Sequence, residues 1–168
     1  MRIRPYISNS DFDEIKKWIT DERTHSMWCA NLLNYPLEKN NFEDKLAEMA
    51  VKFSDSPYVA TTDEGKVIGF FCYSVNLNTN EGKLKFVMVS PEFRGKGYGR
   101  EMVALAVKFA FEITKADKVQ LNVFSVNAAA RKCYSSVGFT ERSIAENAFC
   151  FNDEVWGRHN MVIARKSC

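Results

Sequence analysis

The feature that most constrains this chain is a glycine-rich turn between an apolar strand pattern and a long apolar helix pattern. The strand pattern covers residues 86–89, and the helix pattern starts near Glu101. Glycines leave backbone N–H groups unshielded, and a helix N-terminus adds a partial positive charge of roughly +0.5. Because cationic side chains flank these amides, the turn is typical of a pyrophosphate cradle. The turn reads Arg94-Gly95-Lys96-Gly97-Tyr98-Gly99-Arg100.

Two common phosphate-binding loops are excluded by their spacing. A Walker loop ends in Gly-Lys-Ser or Gly-Lys-Thr, and neither tripeptide occurs in the sequence. A dinucleotide fingerprint starting at Gly95 and Gly97 would need its third glycine at position 100, which is Arg100. The pattern that does fit is Gln/Arg-x-x-Gly-x-Gly/Ala, met by Arg94, Gly97 and Gly99.

With this pattern the chain resembles the GNAT superfamily of acetyl-CoA-dependent N-acetyltransferases. Residues 87–94 are similar to the fourth strand of that family and its exit. Residues 127–134, followed by Gly138-Phe139, are similar to its fifth-strand exit and the next helix. The segments 3–5 and 21–24 resemble the branch of small ribosomal-protein-type acetyltransferases. The resemblance covers nearly the whole chain and implies an acyltransferase that uses acetyl-CoA as its acyl donor.

Length and composition favour one packed domain, which we expect to span residues 1–168. Apolar residues make up 46% of the chain and aromatic residues 13%, which indicates a packed core. A net charge of +2 with both signs interspersed argues against nucleic acid as a partner. No apolar run approaches the ~18 residues of a membrane span, and the N-terminus lacks a signal-peptide core, so we expect no membrane partner and a cytoplasmic location.

The cysteines show no Cys-x-x-Cys spacing, and only two histidines could join them as ligands, so no metal site is expected. We interpret them as reduced thiols, which also suits the cytoplasm. The cysteines are Cys29, Cys72, Cys133, Cys150 and Cys168.

The hydrophobic patterning predicts an α+β fold, with a GNAT-like twisted, mainly antiparallel mixed sheet flanked by helices. Ser10-Asp11 is expected to cap a first helix carrying Phe12, Ile15 and Ile19. The aromatic segment 25–36 is expected to join the first two helices, and it either walls the acceptor site or caps the core. Further helices are predicted at about 37–53, 101–114 and 128–137, and strands at 1–6, 58–62, 67–75, 83–89, 118–124, 139–151 and 155–164.

The resemblance implies a set of cofactor-binding residues. The strand backbone at 87–89 would pair with the pantetheine arm, and the amides of 95–99 would hold the pyrophosphate. Asn127 would bind a pantetheine amide, although asparagine there also suits a helix N-cap. Arg131 or Lys132 could face the adenosine phosphate, or only water. The predicted cofactor set is Val87, Met88, Val89, Arg94, Gly95, Lys96, Gly97, Tyr98, Gly99, Arg100, Asn127 and Arg131.

Acyl transfer from a thioester to an amine, through a tetrahedral intermediate, requires oxyanion donors and an acid for the leaving thiolate. By resemblance Tyr134 is the general acid; otherwise it is a core tyrosine. Many members of the family place a glutamate base where this chain has Lys83. Glu81 is therefore the candidate base, with a solvent carboxylate or a water chain as the alternative. Period two places Lys83, Lys85 and Val87 on one strand face, and the lysines there would favour an acidic or phosphorylated acceptor.

The leading hypothesis is an N-acetyltransferase acting on a small-molecule or peptide amine. A non-catalytic acyl-CoA-binding or regulatory module of the same fold is the alternative, supported by the missing base at Lys83. A nucleic-acid-binding role for the turn 94–100 is disfavoured by the balanced charge. A homodimer stays open.

Overall fold

The computed structural model describes residues 1–166, so the expectation of a reduced thiol at Cys168 lies outside the described residues. Within this range one seven-stranded sheet has the order β1-β2-β3-β4-β5-β7-β6. Its strands are β1 Arg2–Pro5, β2 Ser56–Thr61, β3 Val67–Asn76, β4 Glu81–Val89, β5 Lys118–Phe124, β6 Thr140–Phe151 and β7 Glu154–Ala164. The helices are α1 Ser8–Lys17, α2 Glu22–Cys29, α3 Lys39–Phe53, α4 Tyr98–Glu112 and α5 Ala128–Val137, with a 3₁₀ turn at Pro91–Phe93.

The sheet divides where its one parallel pair of strands ends. β4 and β5 run parallel and pair only from Glu81 to Leu84 and from Lys118 to Leu121, whereas every other neighbouring pair is antiparallel. Beyond Leu84, β4 stays with β3, and β5 stays with β7 as far as Phe124. The mainly antiparallel α+β fold predicted from the sequence is confirmed, and the two halves of its sheet separate at the centre.

Two hydrophobic cores lie on opposite faces of the sheet. The first joins α4 and α5 to both halves, with Met102 and Tyr134 packed among residues such as Leu84 and Leu121. The second joins α1, α2 and α3 to β2, β3 and β4, and no residue of β5, β6 or β7 belongs to it. On the α1–α3 side, therefore, the half of the sheet made by β5, β7 and β6 is not covered by this core. None of the helices within residues 1–166 has the length and apolarity needed to cross a membrane.

Most predicted elements are present, and β5 and α5 have the predicted bounds. The region before α3 differs, because residues 22–29 form the helix α2, where the sequence suggested that only a connecting segment starts at residue 25. The Asp21 side chain caps this helix by accepting a hydrogen bond from the Thr24 N–H at 2.8 Å. The Ser10-Asp11 cap was also wrong. α1 starts earlier, and Asp11 reaches back from inside the helix to accept from the Ile7 N–H at 2.7 Å.

A β-bulge in β4 changes which side chains share a face. Phe70 pairs with Met88 and Cys72 pairs with Lys85, so two residues of β4 lie opposite one residue of β3. The first of these two residues, Phe86, has φ +52°. As a result Val87 packs against the α4–α5 core, whereas Lys85 points to the other face and forms an ion pair with Asp55. The prediction that Lys83, Lys85 and Val87 share one face is therefore wrong for Val87.

Candidate active site

A cavity of about 660 Å³ lies where β4 and β5 diverge. Its walls come from α2, β4, the glycine-rich turn, the first two turns of α4, most of α5, and the far end of β5. The structure thereby brings together most of the residues that the sequence singled out. From the predicted set the cavity is lined by Val87, Met88, Val89, Arg94, Gly95, Gly97, Gly99, Arg100, Asn127 and Tyr134.

The glycine-rich turn presents backbone donors to this cavity. Gly97 is the N-cap of α4 with φ +88°, and Gly95 has φ +71°. Residues other than glycine rarely adopt such a positive φ. A Cβ added at either glycine would meet no atom within 4 Å, so both positions open onto free space. The first intrahelical bond runs from the Glu101 N–H to the Gly97 carbonyl. The preceding N–H groups are therefore free to bind an anion at the positive end of the helix.

The cations near the turn divide into those that reach the cavity and those that do not. Arg94 and Arg100 line it. Arg94 donates from Nε to the Val89 carbonyl at 3.0 Å, and burial lowers the pKa of its guanidinium. The Lys96 ammonium instead turns back to the Glu92 carbonyl at 2.9 Å. Of the predicted loop residues, Lys96 thus contributes its backbone and not its charge.

On α5 the cation at the cavity is Lys132 and not Arg131. Lys132 lines the cavity, whereas Arg131 lies 3.6 Å from Glu141 in an ion pair. The guanidinium of Arg131 is taken up by this ion pair, which leaves Lys132 as the cation that α5 supplies to the cavity. The sequence left both open, and the structure does not bring Arg131 into the cavity.

The edge of β4 that faces the cavity has no partner strand. Pairing with β5 stops at Leu84, so the backbone from Lys85 to Val89 is unpaired on that side. Trp28 of α2 donates its Nε1–H to the Phe86 carbonyl at 2.7 Å and holds the bulge in place. An exposed strand edge is a template for an extended ligand that carries its own amides. The pantetheine arm of coenzyme A has this shape and these groups.

Tyr134, in the second turn of α5, is one of the residues that line the cavity. Asn127 caps this helix by accepting from the Ala130 N–H at 3.1 Å, which confirms the predicted cap. Tyr134 is 6% exposed and lines the cavity, and its hydroxyl has no hydrogen-bond partner within residues 1–166. The phenol is protonated at neutral pH and can serve as a proton donor, and burial, which raises the pKa of Tyr134, makes it a weaker acid than an exposed tyrosine.

Glu81, the candidate base, does not reach the cavity. It is the first residue of β4, and its Oε1 accepts from Arg142 at 2.7 Å. The same guanidinium donates to Gln120 and Asn160, which fixes Glu81 in a polar network across the sheet. None of the residues that line the cavity carries a carboxylate or an imidazole. The cavity walls therefore offer no side chain as an obvious general base.

Several lining residues were missed by the sequence reasoning. Thr24 belongs to the unpredicted helix α2, and Asn122 and Ser136 were not considered. Met27 also lines the cavity, but it lies in the segment 25–36 that was expected to wall the acceptor site or cap the core. The sequence did carry a signal for Asn122. In this strand the apolar residues Val119 and Leu121 alternate with polar ones, so Asn122 is expected to point away from the core. Trp28 lines the cavity and also packs between Phe42 and Phe86, so both interpretations of the aromatic segment hold for it.

Comparison with known proteins agrees with this geometry. Over 79 residues the chain is 34% identical to mycothiol acetyltransferase of Tsukamurella paurometabola, which covers 46% of this chain and 27% of that protein. Over 77 residues it is 31% identical to 5-NmdU N-acetyltransferase of Pseudomonas phage PaMx11, which covers 46% of this chain and 52% of that protein. The matched part of the chain thus spans about a quarter to a half of the length of these curated relatives.

A solved structure has the same fold over almost the whole chain. The spermidine N-acetyltransferase of Vibrio cholerae, in complex with CoA and spermine, superposes with a TM-score of 0.81 at 21% identity and covers 97% of this chain and 94% of that chain. At this identity the likeness establishes the fold alone.

A family model decides the assignment. The model of the acetyltransferase (GNAT) family matches residues 12–139, a stretch that includes the glycine-rich turn, the unpaired edge of β4 and Tyr134. The more specific likeness to the ribosomal-protein-type branch stays a prediction. Because the match extends over most of the sequence, the chain belongs to the acetyltransferase (GNAT) family.

Proposed function

We propose that this protein transfers the acetyl group of acetyl-CoA directly to a primary amine. The observation that carries the proposal is one continuous cavity, which runs from the free amides of the α4 N-terminus along the unpaired edge of β4 to Tyr134. This one cavity is lined by an anion site, an unpaired strand edge and a buried acid, which suit the pyrophosphate, the pantetheine arm and the thioester of coenzyme A respectively.

The residues present fit the cosubstrate. Open space beside Gly95 and Gly97 leaves room for a pyrophosphate, and Arg100 and Lys132 add positive charge at the same wall. The backbone of residues 85–89 has no partner strand on this side. Apart from the Phe86 and Val89 carbonyls, which accept from Trp28 and Arg94, its polar groups can pair with the pantetheine amides. Acetyl-CoA supplies an activated thioester carbonyl carbon as the electrophile. Free N–H groups of the β4 edge are placed to donate to the oxygen of that carbonyl as negative charge develops on it.

The transfer forms one N–C bond and breaks one C–S bond. The attacking amine must lose a proton, and because the cavity walls offer no carboxylate or imidazole, water takes that proton. Tyr134 gives its phenolic proton to the leaving thiolate and regains one from solvent. An amine with a pKa near 8 reaches its neutral form more easily than a lysine side chain near 10.4. The acceptor is accordingly a low-pKa amine on a small molecule or a peptide.

The cysteines indicate the cellular compartment in which the activity takes place. Cys29, Cys72, Cys133 and Cys150 are free thiols, which supports a reducing, cytoplasmic compartment. We assign the activity to residues 1–168 as one domain. The non-catalytic alternative is disfavoured by Tyr134, since a module that only binds acyl-CoA needs no buried, unpartnered phenol in the cavity wall.

Two measurements test the proposal. Titration calorimetry should detect binding of coenzyme A, and Gly97→Asp should abolish it by placing a carboxylate where the diphosphate sits. A panel of amines with acetyl-CoA, followed by release of free thiol, should identify at least one acceptor. Absence of coenzyme A binding in folded protein would refute the proposal. Binding without thiol release for every amine would establish the non-catalytic alternative.

A further inference from the structure

The cavity opens onto the uncovered face of the sheet, and this face is where an acceptor can enter. Val119, Leu121 and Val123 of β5 point into the α4–α5 core, so the alternate residues Gln120 and Asn122 point to the opposite face. On β7, by the same alternation, Arg158 and Asn160 lie on that opposite face, away from the core residue Met161, and solvent reaches both. The neighbouring Trp156 is buried against Phe149 and Phe151 and closes that end of the face. Lys85 and Asn122 line the cavity and also belong to this face, so the two are continuous.

The carboxylates around this entrance are already occupied. Asp55 pairs with Lys85 at 2.6 Å, and Glu81 pairs with Arg142 at 2.7 Å. On the opposite side, at the start of β7, Glu154 pairs with Arg23 at 2.9 Å. Each of these three acidic side chains already neutralises one internal cation. One carboxylate oxygen among them, the buried Asp55 Oδ1, accepts no hydrogen bond within the described residues. The three pairs leave no net negative charge to attract a polycationic acceptor.

Two cations of the same face have no such partner. Within residues 1–166, neither Lys83 nor Arg158 forms a hydrogen bond or an ion pair through its side chain. Lys83 is half-buried, and the pKa of its ammonium is lowered first by burial and then by the nearby charge of Lys85. The charges of Arg158 and Arg142 also lower the pKa of Lys83, whereas the charge of Asp55 raises it. The entrance therefore carries uncompensated positive charge.

Resting on the proposed acetyl transfer, we infer that the acceptor is an amine that also carries an anionic group, a carboxylate or a phosphate, and that Lys83 and Arg158 bind this group. Lys83 lies opposite Gln120 in β5, and Arg158 lies opposite Phe124, so the two cations are on either side of Asn122 at the cavity mouth. An anion between them gains two charge-assisted contacts and relieves the repulsion among the cations. The acceptor amine can then point through the gap toward the unpaired edge of β4.

The experiment compares acceptors that differ only in the anionic group. Glycylglycine is paired with glycylglycine amide, and O-phosphoserine amide with serine amide, so that every pair offers an α-amine with a pKa near 8; spermidine is added as a polycation. With saturating acetyl-CoA, kcat and KM are measured by thiol release for the wild type, Lys83→Met and Arg158→Gln. The control variants are Lys108→Met, on the exposed side of α4, and Arg2→Gln, at the far edge of the sheet.

We expect the wild type to prefer at least one anionic acceptor over its uncharged-tail partner by about tenfold or more in kcat/KM. Lys83→Met and Arg158→Gln should each lower that preference by about tenfold, mainly by raising the KM for the anionic acceptor. The kcat/KM for the partner amine should stay the same. Coenzyme A binding by calorimetry should stay unchanged in both variants, which excludes misfolding. Lys108→Met and Arg2→Gln should keep the wild-type preference.

Three results would overturn the inference. A wild type that prefers spermidine or the amines without an anionic group keeps the proposed acetyl transfer but removes the anion site. If a variant lowers kcat/KM equally for both acceptors of a pair, the role of Lys83 and Arg158 is structural. Binding of coenzyme A without thiol release from any amine would remove the proposed function itself, and the inference with it.

Discussion

Tyr134 is the residue on which turnover depends most directly. Its buried phenol lines the cavity, with a raised pKa and no hydrogen-bond partner within residues 1–166. Tyr134→Phe removes only the hydroxyl, so kcat should fall by about 10²–10⁴-fold, the usual contribution of a general acid. Coenzyme A affinity should stay the same, because the α4 amides and the β4 edge are untouched. Thiol release and calorimetry on the same preparation separate the two effects.

Tyr58→Phe is the matched control for this substitution. Tyr58 lies on β2, stacked on Phe71 at 5.4 Å, and it does not line the cavity. The Tyr58→Phe variant should keep the wild-type kcat. If Tyr134→Phe also keeps wild-type turnover, the phenol is a packing residue and the leaving thiolate departs without its help.

At this scale the sequence was a good guide to residues whose role depends on local structure. Gly97 and Asn127 are helix caps beside the cavity, and a cap is set by a few neighbouring residues. The sequence could not decide between Arg131 and Lys132, or remove Glu81, because those answers depend on distant partners. Arg142, which holds Glu81, is 61 residues away in the chain.

At the scale of elements, the start of α4 depends on one glycine more than on another. Gly97 has a left-handed backbone with φ +88°, so Gly97→Ala should cost about 1 kcal/mol of unfolding free energy. Gly99 lies in the first turn, and a Cβ there would meet Cys133 Sγ at 3.5 Å and Val89 at 3.6 Å, which is ordinary contact. Gly99→Ala should therefore be close to neutral. Urea unfolding of both variants measures the difference, and equal destabilisation by the two would contradict this account.

A second element-level feature ties α2 to the β6–β7 hairpin across the acceptor entrance. The Arg23 guanidinium donates to both carboxylate oxygens of Glu154 at 3.2 and 2.9 Å and lies 5.3 Å from the centre of the Trp156 ring. The pair is largely exposed, so its loss should hardly change the thermal midpoint. Glu154→Gln should instead raise the acceptor KM by roughly tenfold, since α2 supplies Thr24 and Met27 to the cavity wall.

The exchange of the two charges tests whether the pair itself matters. Arg23→Glu combined with Glu154→Arg should recover most of the acceptor KM lost in the single variants, whereas coenzyme A affinity should not change in any of them. Failure of the double variant to recover KM would assign the effect to the side chains separately and not to their bridge.

The elements that the sequence missed have physical reasons. The α2 residues include Glu22, Arg23, Thr24 and His25, without an apolar stripe long enough to be recognised, so only the Asp21 cap indicated a helix. The bulge at Phe86 is held by the indole of Trp28, 58 residues away, and a bulky residue with positive φ has no local signal. By contrast, β5 and α5 carry complete local signals, and their predicted bounds agree with the structure.

For the whole molecule, the cavity results from two half-sheets that share one core but separate at their centre. The α4–α5 core contains Phe71 and Tyr73 from one half and Val123 and Met161 from the other, so it joins both. The core under α1–α3 belongs to one half only, which leaves the entrance side open. Hydrophobic patterning showed which residues are buried, but not that the parallel pair of β4 and β5 is so short.

Acid stability of the whole molecule should depend on Asp11, which joins β1 to the start of α1. Its buried carboxylate accepts from Arg4 at 2.7 and 2.8 Å and from the Ile7 N–H at 2.7 Å. Burial alone would raise the pKa of Asp11, but the hydrogen bonds from Arg4, Ile7 and Ser10 outweigh it and lower the pKa below its usual value. A lowered pKa in the folded state means that folding favours the ionised form.

This stabilisation is complete above the unfolded-state pKa of about 3.9 and is lost as the pH falls through the lower, folded-state value. At pH 7, Asp11→Asn should therefore lower the free energy of unfolding by about 3 kcal/mol, because it leaves Arg4 without its carboxylate. Below about pH 4 the free energies of unfolding of wild type and variant should become more similar. Urea unfolding at pH 7 and pH 3 measures both, with the exposed Asp44→Asn as control. A difference that stays constant with pH would show that the charge of Asp11 contributes nothing and that only its shape is needed.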